Sequence, residues 1–390
     1  VALVNREQVR REVLAGLGAK ETEIAELLGY GRSHFADAKV PPLPLGDEPF
    51  VPVWREYAAE AAQGGVFQVL REKLVQLRFP IRQGISGEEE YRSATRKGIL
   101  PEPGPPGWVP VDPAGLHVFL HETPAGAIPV LTARARQDFV ALVRALTMRN
   151  EPGPVPDAMG GTMISGLNNW DRIARHRRSW ENDNPLAAAT GGWSAEFSRL
   201  ISRKELYQDR LILLSEGGYS NVSATTVGLP EAEWLRISRL IRLEHECTHY
   251  LTRRVFGSMQ NAMHDEFLAD YAGIVAGFGQ YRADVFLLFM GMEDFPAYRH
   301  GGRLENYQGN PPPSAAVFTI LQRLLHKAAS NVARWESRGR GAGPGRFPDH
   351  LKIIIALAAL HLEELAAEEG DRLLENKLAA NTGSDRLPAC

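Results

Sequence analysis

Cysteine is nearly missing from this chain: two in 390 residues, Cys247 within a helical stretch and Cys390 at the end of the sequence. That excludes a disulfide framework of the kind small extracellular domains depend on. Long hydrophobic runs are missing too. No stretch of about eighteen apolar residues occurs, and the start lacks a basic segment followed by an apolar one, so neither a membrane-spanning helix nor a secretory signal is read from the chain. Nor does one sign of charge prevail. Lys and Arg number 44 against 47 Asp and Glu, a net charge of −3, which gives no global electrostatic case for nucleic acid or an anionic membrane as partner. Internal repeats are absent as well. The expectation is a cytoplasmic globular protein, long enough for one large or two ordinary domains with a real core.

What the chain does contain is His245-Glu246-Cys247-Thr248-His249, an HExxH pattern inside Arg242–Leu251. Two histidines four apart on a helix stack on one face, because 3.6 residues make a turn. They can grip one metal ion from one side, while Glu246 reaches toward a water on that metal. This is the signature of a zinc-dependent hydrolase with the carboxylate as general base. The surroundings are helical, as that chemistry requires. Pro230 precedes an unbroken pattern from Glu231 to about Phe256, Ile237, Leu240, Ile241 and Leu251 supply apolar positions, and Gly257 suits the end.

Seventeen positions after His249 comes Glu266, and four further on Asp270. With these residues the segment from about Glu231 to Tyr281 resembles the gluzincin metallopeptidases, in which HExxH is followed on a second helix by an ExxxD pattern. The resemblance implies His245, His249 and Glu266 as ligands of Zn²⁺, Glu246 as the base, and Asp270 as acceptor for an imidazole N–H. It also implies a zincin-like core, and an oxyanion donor C-terminal to the glutamate ligand without selecting one. The loop Tyr298–Tyr307 offers His300, Arg303 and Tyr307 for that role. Independently of the resemblance, Ala269, Gly273 and Gly277 share a helix side with Glu266 and Asp270. Glycine inside a helix costs ~1 kcal/mol against alanine, so the pattern points to a close helix–helix approach. His264, two residues from Glu266, points elsewhere on the helix.

The rest of the chain is read more coarsely. Asn5–Leu28 reads as two short helices broken near Gly18, Ala38–Pro52 as a Pro-rich linker, and Val53–Leu77 as one strong helix. A Pro/Gly-rich loop at Leu100–Pro113 is a candidate boundary. Leu116–His121 and Ala127–Thr132 flank a turn and suggest a β-hairpin, with His117 and His121 facing the surface. Met159–Ile173 reads as a fixed loop with Asn168 or Asn169 as a helix cap, followed by the basic run Arg172, Arg175, Arg177 and Arg178. Leu211–Ser223 reads as a strand, either an edge strand able to pair with extended substrate or a core strand ending in a turn. Arg134–Arg149, Ala283–Met292, Ala315–Glu336 and Asp349–Ala379 read as helices. The apolar face of the last is core or interface, which leaves a homo-oligomer open. Gly339–Gly345 is a flexible link.

The sequence therefore predicts a mostly helical α+β protein with four parts: an N-terminal helical region (1–100), a mixed α/β region with hairpin and edge strand (101–230), a helical metal-site region (231–380), and a disordered tail (381–390). It predicts hydrolysis of a peptide or small amide by metal-activated water. Two other readings use the same residues. One is an oxygen-activating di-iron enzyme built on the Glu246–His249 ExxH pair with Glu244, Glu266 and Asp270. The other is a non-catalytic protein whose metal staples two helices.

Overall fold

Helices make up most of the chain, with one four-stranded sheet, in a computed structural model that describes residues 2–32, 35, 38–100, 107–257, 263–309, 311–338 and 347–383. The protein is thus α+β and mostly helical. The chain divides into two compact units, Leu43–Gly217 and a discontinuous one formed by Val1–Pro42 with Gly218–Cys390. Among the described residues no helix is long and apolar enough to cross a membrane.

In the continuous unit, β1 (Leu116–His121) and β2 (Ile128–Ala133) form the expected antiparallel hairpin, with Leu116 opposite Ala133. β3 (Gly161–Asn168) and β4 (Gln208–Ser215) complete the order β1-β2-β4-β3, with β2 parallel and β3 antiparallel to β4. Two expectations are corrected here. The strand within Leu211–Ser223 is not an edge strand, because β4 is paired on both sides. Its Leu211-Ile212-Leu213 run is wholly buried, as a strand covered on both faces must be. The presumed loop at Met159–Ile173 is largely β3, whose irregularity comes from a bulge at Gly166, φ +78°.

Asn169 does cap the next helix, its Oδ1 accepting from the Arg172 amide at 3.2 Å. Three of the four arginines in the basic run that follows are held by acids: Arg172 pairs with buried Asp209, Arg175 with Asp171 and Glu56, and Arg177 with Glu181. The single helix expected over Val53–Leu77 is split at Gly65, φ +84°, into Val51–Gly64 and Val66–Lys73. Phe50, Trp54, Tyr57, Leu70 and Phe139 pack with Leu131, Leu211 and Leu213 of the sheet in one core.

The discontinuous unit departs from the sequence blocks. Its N-terminal helices, Ala2–Gly16 and Glu21–Tyr30, break around Gly18 as expected. They do not group with residues 43–100. Leu14 and Leu27 are buried in the same core as Leu321, Leu325 and Leu365, and Arg6–Glu364 (2.7 Å) and Arg10–Glu363 (3.1 Å) tie the two chain ends together. The boundary accordingly falls at Pro42/Leu43, within the Pro-rich linker. Of the loop Leu100–Pro113, residues 101–106 lie outside the described residues, as do the Gly339–Gly345 link and residues 384–390 of the tail. The expected helix Asp349–Ala379 is three pieces, Phe347–Ala358, Leu362–Leu365 and Gly370–Gly383, so residues 381–383 continue a helix.

The longest helix of this unit, Glu231–Phe256, carries the HExxH pattern and ends at Gly257, φ +70°. It packs along Met263–Phe278 in an antiparallel register that the glycines make possible. A Cβ on Gly273 would lie 2.6 Å from the Ile241 carbonyl oxygen, and one on Gly277 would lie 2.8 Å from Ile241 Cγ1. Gly273→Ala is therefore expected to destabilise the protein by about 1–3 kcal/mol through overpacking, exceeding the ~1 kcal/mol helix-propensity gain. Denaturant unfolding measures it; a stabilised variant would show that the close approach is not required.

Candidate metal centre

The antiparallel register brings successive pairs together: Ile241 with Gly273, then His245 with Asp270, then His249 with Asp265. Glu266 falls between the two histidines. Each imidazole directs its Nδ1 outward to a carboxylate, His245 to Asp270 Oδ1 and His249 to Asp265 Oδ2, both at 3.0 Å. With those protons on Nδ1, both Nε2 atoms carry lone pairs, and they face each other at 3.1 Å. Glu266 completes a triangle of side chains with a different oxygen against each ring, Oε2 at 3.4 Å from His245 Nε2 and Oε1 at 3.5 Å from His249 Nε2. Lone pairs so arranged repel unless a positive charge lies among them.

The ligand atoms of His245, His249 and Glu266 lie within 4.8 Å of one another, and the three side chains could hold a metal ion. Two observations test the fit. Glu266 Oε2 is buried and accepts no hydrogen bond, an acceptor left over for a ligand. The donor set itself, two imidazole nitrogens and a carboxylate oxygen, is also one that zinc accepts. The residues fit.

Electrostatics point the same way. Burial works to lower His249, but the Asp265 and Glu266 carboxylates outweigh it and hold the imidazole well above its ordinary pKa. Burial likewise opposes ionisation of Glu266, yet the two imidazoles hold it well below the usual carboxylate range. His245 is raised, with burial offset by Asp270 and Glu266, and Asp270 is lowered, with burial offset by Arg303 and His245. Glu246, beside the first histidine, is raised by burial, and the histidine charges only moderate that.

These shifts set a pH dependence. In the metal-free protein Glu266 and Asp270 contribute stability that is present above their ordinary values of 4.5 and 3.8 and lost as pH falls. The two histidines contribute stability fully present below 6.5 and lost as pH rises through their raised values. The cluster thus stabilises best between about pH 4.5 and 6.5. A cation replacing the proton extends the upper limb, so the rise in Tm on adding a divalent metal is expected to grow from about pH 5.5 to about pH 8. A pH-independent rise would mean that these imidazoles are not the ligands.

Three residues around the centre escaped the sequence reading or took another role. Tyr219, in a tight turn with Ser220 and Asn221 at positive φ, donates to Asp270 Oδ1 at 2.8 Å and lies 3.0 Å from His245 Nδ1. Ser238 and Trp234 of the motif helix hold that turn by hydrogen bonds to Tyr219 N and Val222 O. Asp265 is the carboxylate on His249; its place directly before Glu266 was the available signal. Arg303, a candidate oxyanion donor, instead binds Asp270 and donates to Tyr219 Oη at 2.7 Å and Ser220 Oγ at 3.1 Å.

His300 is not among the residues brought together. Its side chain is 98% exposed on a surface turn and lies 2.9 Å from Glu305. Tyr307 is brought in: burial raises the pKa of its hydroxyl, the Arg303 guanidinium lowers it, and the nearby Glu266 and Asp270 carboxylates raise it further. His264 lies outside the triangle, its Nε2 at 3.1 Å from the Leu357 carbonyl.

Fold and site together define a mostly helical α+β protein with a buried His-His-Glu cluster able to hold a metal ion. The chain belongs to a family of unknown function, DUF7005, which matches residues 12–369. No curated protein and no solved structure matches it.

Proposed function

We propose that the chain is a zinc-dependent hydrolase with a zincin-like core that cleaves a peptide or small amide bond. The observation that carries this is the convergence of two Nε2 lone pairs and an otherwise unpartnered carboxylate oxygen beside Glu246. Zinc bound there would polarise a scissile carbonyl and bring the pKa of water toward ~7. Glu246 accepts the water proton, and its burial-raised pKa suits a base that must later return that proton to the leaving amine. Asp265 and Asp270 fix the imidazole tautomers and keep both Nε2 atoms free for the metal. Tyr307 is the remaining candidate to donate to the developing oxyanion, given that His300 faces solvent and Arg303 is engaged with Asp270.

The cluster residues are buried, though less completely than the acids behind them. His245, Glu246, His249 and Glu266 keep 7, 7, 5 and 4% of their surface, whereas Asp265 and Asp270 keep 1 and 0%. Three protein ligands would leave room for a water on the ion. The di-iron reading loses support because Asp270 is turned to Arg303 and the outer nitrogen of His245, leaving a single three-residue cluster among the described residues. Sparse cysteine suits a cytoplasmic setting.

Metal analysis of the purified chain, followed by chelation and zinc re-addition with peptide-mixture hydrolysis as readout, tests the proposal. One zinc per chain and cleavage that disappears and returns with the metal are expected. Two irons per chain, or one zinc with no cleavage of peptides or small amides, would overturn it.

A further inference from the structure

A cavity of about 340 Å³ opens in the continuous unit, bounded by the helix Glu89–Lys97, the segment after the helix Arg136–Thr147, and β3. Its residues all belong to Leu43–Gly217, whereas those of the metal centre all belong to the other unit. Three guanidiniums line it. Arg92 and Arg96 lie one turn apart on the same helix face, and Arg149 comes from the opposite element. No Asp or Glu is among the lining residues. The three guanidiniums make no hydrogen bond or ion pair among the described residues. Three of the carboxylates close by in sequence are engaged elsewhere: Glu151 with the Gly84 and Ser86 amides at 2.8 and 2.9 Å, Glu88 with Arg82 at 2.6 Å, and Glu89 with Ser93 at 3.0 Å.

The backbone is arranged to present Arg149. Arg149 and Asn150 both stand in the left-handed region, φ 54° and 60°, which non-glycine residues rarely adopt. Asn150 is wholly buried and locks the turn, donating to Gln76 O at 3.0 Å and Phe79 O at 3.2 Å and accepting from Tyr91 Oη at 3.1 Å. Gln76 itself lines the cavity and is 8% exposed. Its Nε2 donates to Asn168 O at 3.4 Å, but its Oε1 accepts no hydrogen bond. The bulge at Gly166 puts β3 residues on the same wall.

We propose that this cavity binds a small phosphate ester. The planar guanidinium fork matches phosphoryl oxygens, and unpaired arginines from two elements can surround one dianionic group. Gln76 lies on the wall beside them and adds a polar side chain to the lining. The volume is near the lower end of ligand pockets, about 300–1,000 Å³, which suits a molecule of sugar or amino-acid size.

Calorimetric titration of the full chain at constant ionic strength tests this, with inorganic phosphate, glycerol 3-phosphate, uncharged glycerol and citrate as probes. Glycerol 3-phosphate is expected to bind one-to-one and more tightly than inorganic phosphate, glycerol not at all, and citrate more weakly. The doubly substituted R96A/R149A chain is expected to lose about tenfold or more in affinity with an unchanged Tm, since both side chains are exposed and unpaired. Chelation of metal should leave the binding unchanged. Absence of saturable binding, equal binding by the doubly substituted chain, loss of binding on chelation, or citrate binding as tightly as glycerol 3-phosphate would overturn the assignment.

Discussion

Replacing Glu246 with glutamine is expected to leave one zinc per chain and to lower turnover by roughly 10²–10⁴-fold. Glu246 is not one of the three side chains that could hold the ion, and the substitution leaves His245, His249 and Glu266 in place. Glutamine preserves size and most of the packing but cannot accept a proton from water. A metal titration combined with single-turnover cleavage separates binding from chemistry. Glu246→Gln with undiminished turnover would eliminate the proposed base, and Glu246→Gln without metal would make Glu246 a ligand instead.

Asp270→Ala is expected to weaken zinc binding by roughly 10–100-fold and, separately, to cost about 3–5 kcal/mol of stability. The two effects have different origins. Asp270 accepts from His245 Nδ1, so without it the ring loses the partner that sets its tautomer and orientation. Asp270 is also the carboxylate opposite Arg303, whose side chain is only 9% exposed, so the variant leaves a buried cation unpaired. Pairing Asp270→Ala with Arg303→Met should restore much of the stability but not the metal affinity. Chelator competition and denaturant unfolding read the two terms independently. If the second substitution restored affinity as well, Asp270 would act through Arg303 rather than through the imidazole.

The site was more legible than the units that contain it. His245, Glu246 and His249 could be placed from spacing alone, since a helix converts a separation of four into a shared face. Glu266 and Asp270 followed from the resemblance, and Gly273 and Gly277 announced the close approach because glycine has little other reason to recur within a helix. Tyr219 and the true role of Arg303 carried no such signal. Both lie tens of residues from their partners, in turns whose direction depends on positive-φ residues and on anchors such as Ser238. His300 looked equivalent to Tyr307 in a polar loop, and only the path of the backbone separates an exposed side chain from one facing Glu266.

By itself, then, the sequence determined the helical class, the hairpin, and the placing of the HExxH residues on one helix, because each depends on periodicity within a few turns. Tertiary structure alone decided that the first 42 residues join the C-terminal half, that β4 is interior, that three of the four arginines in the basic run after Asn169 are held by acids, and that Arg92, Arg96 and Arg149 remain unpaired around one cavity. Those outcomes depend on which distant apolar faces and charges satisfy one another. Burial compels such pairing, but local spacing does not specify the partner.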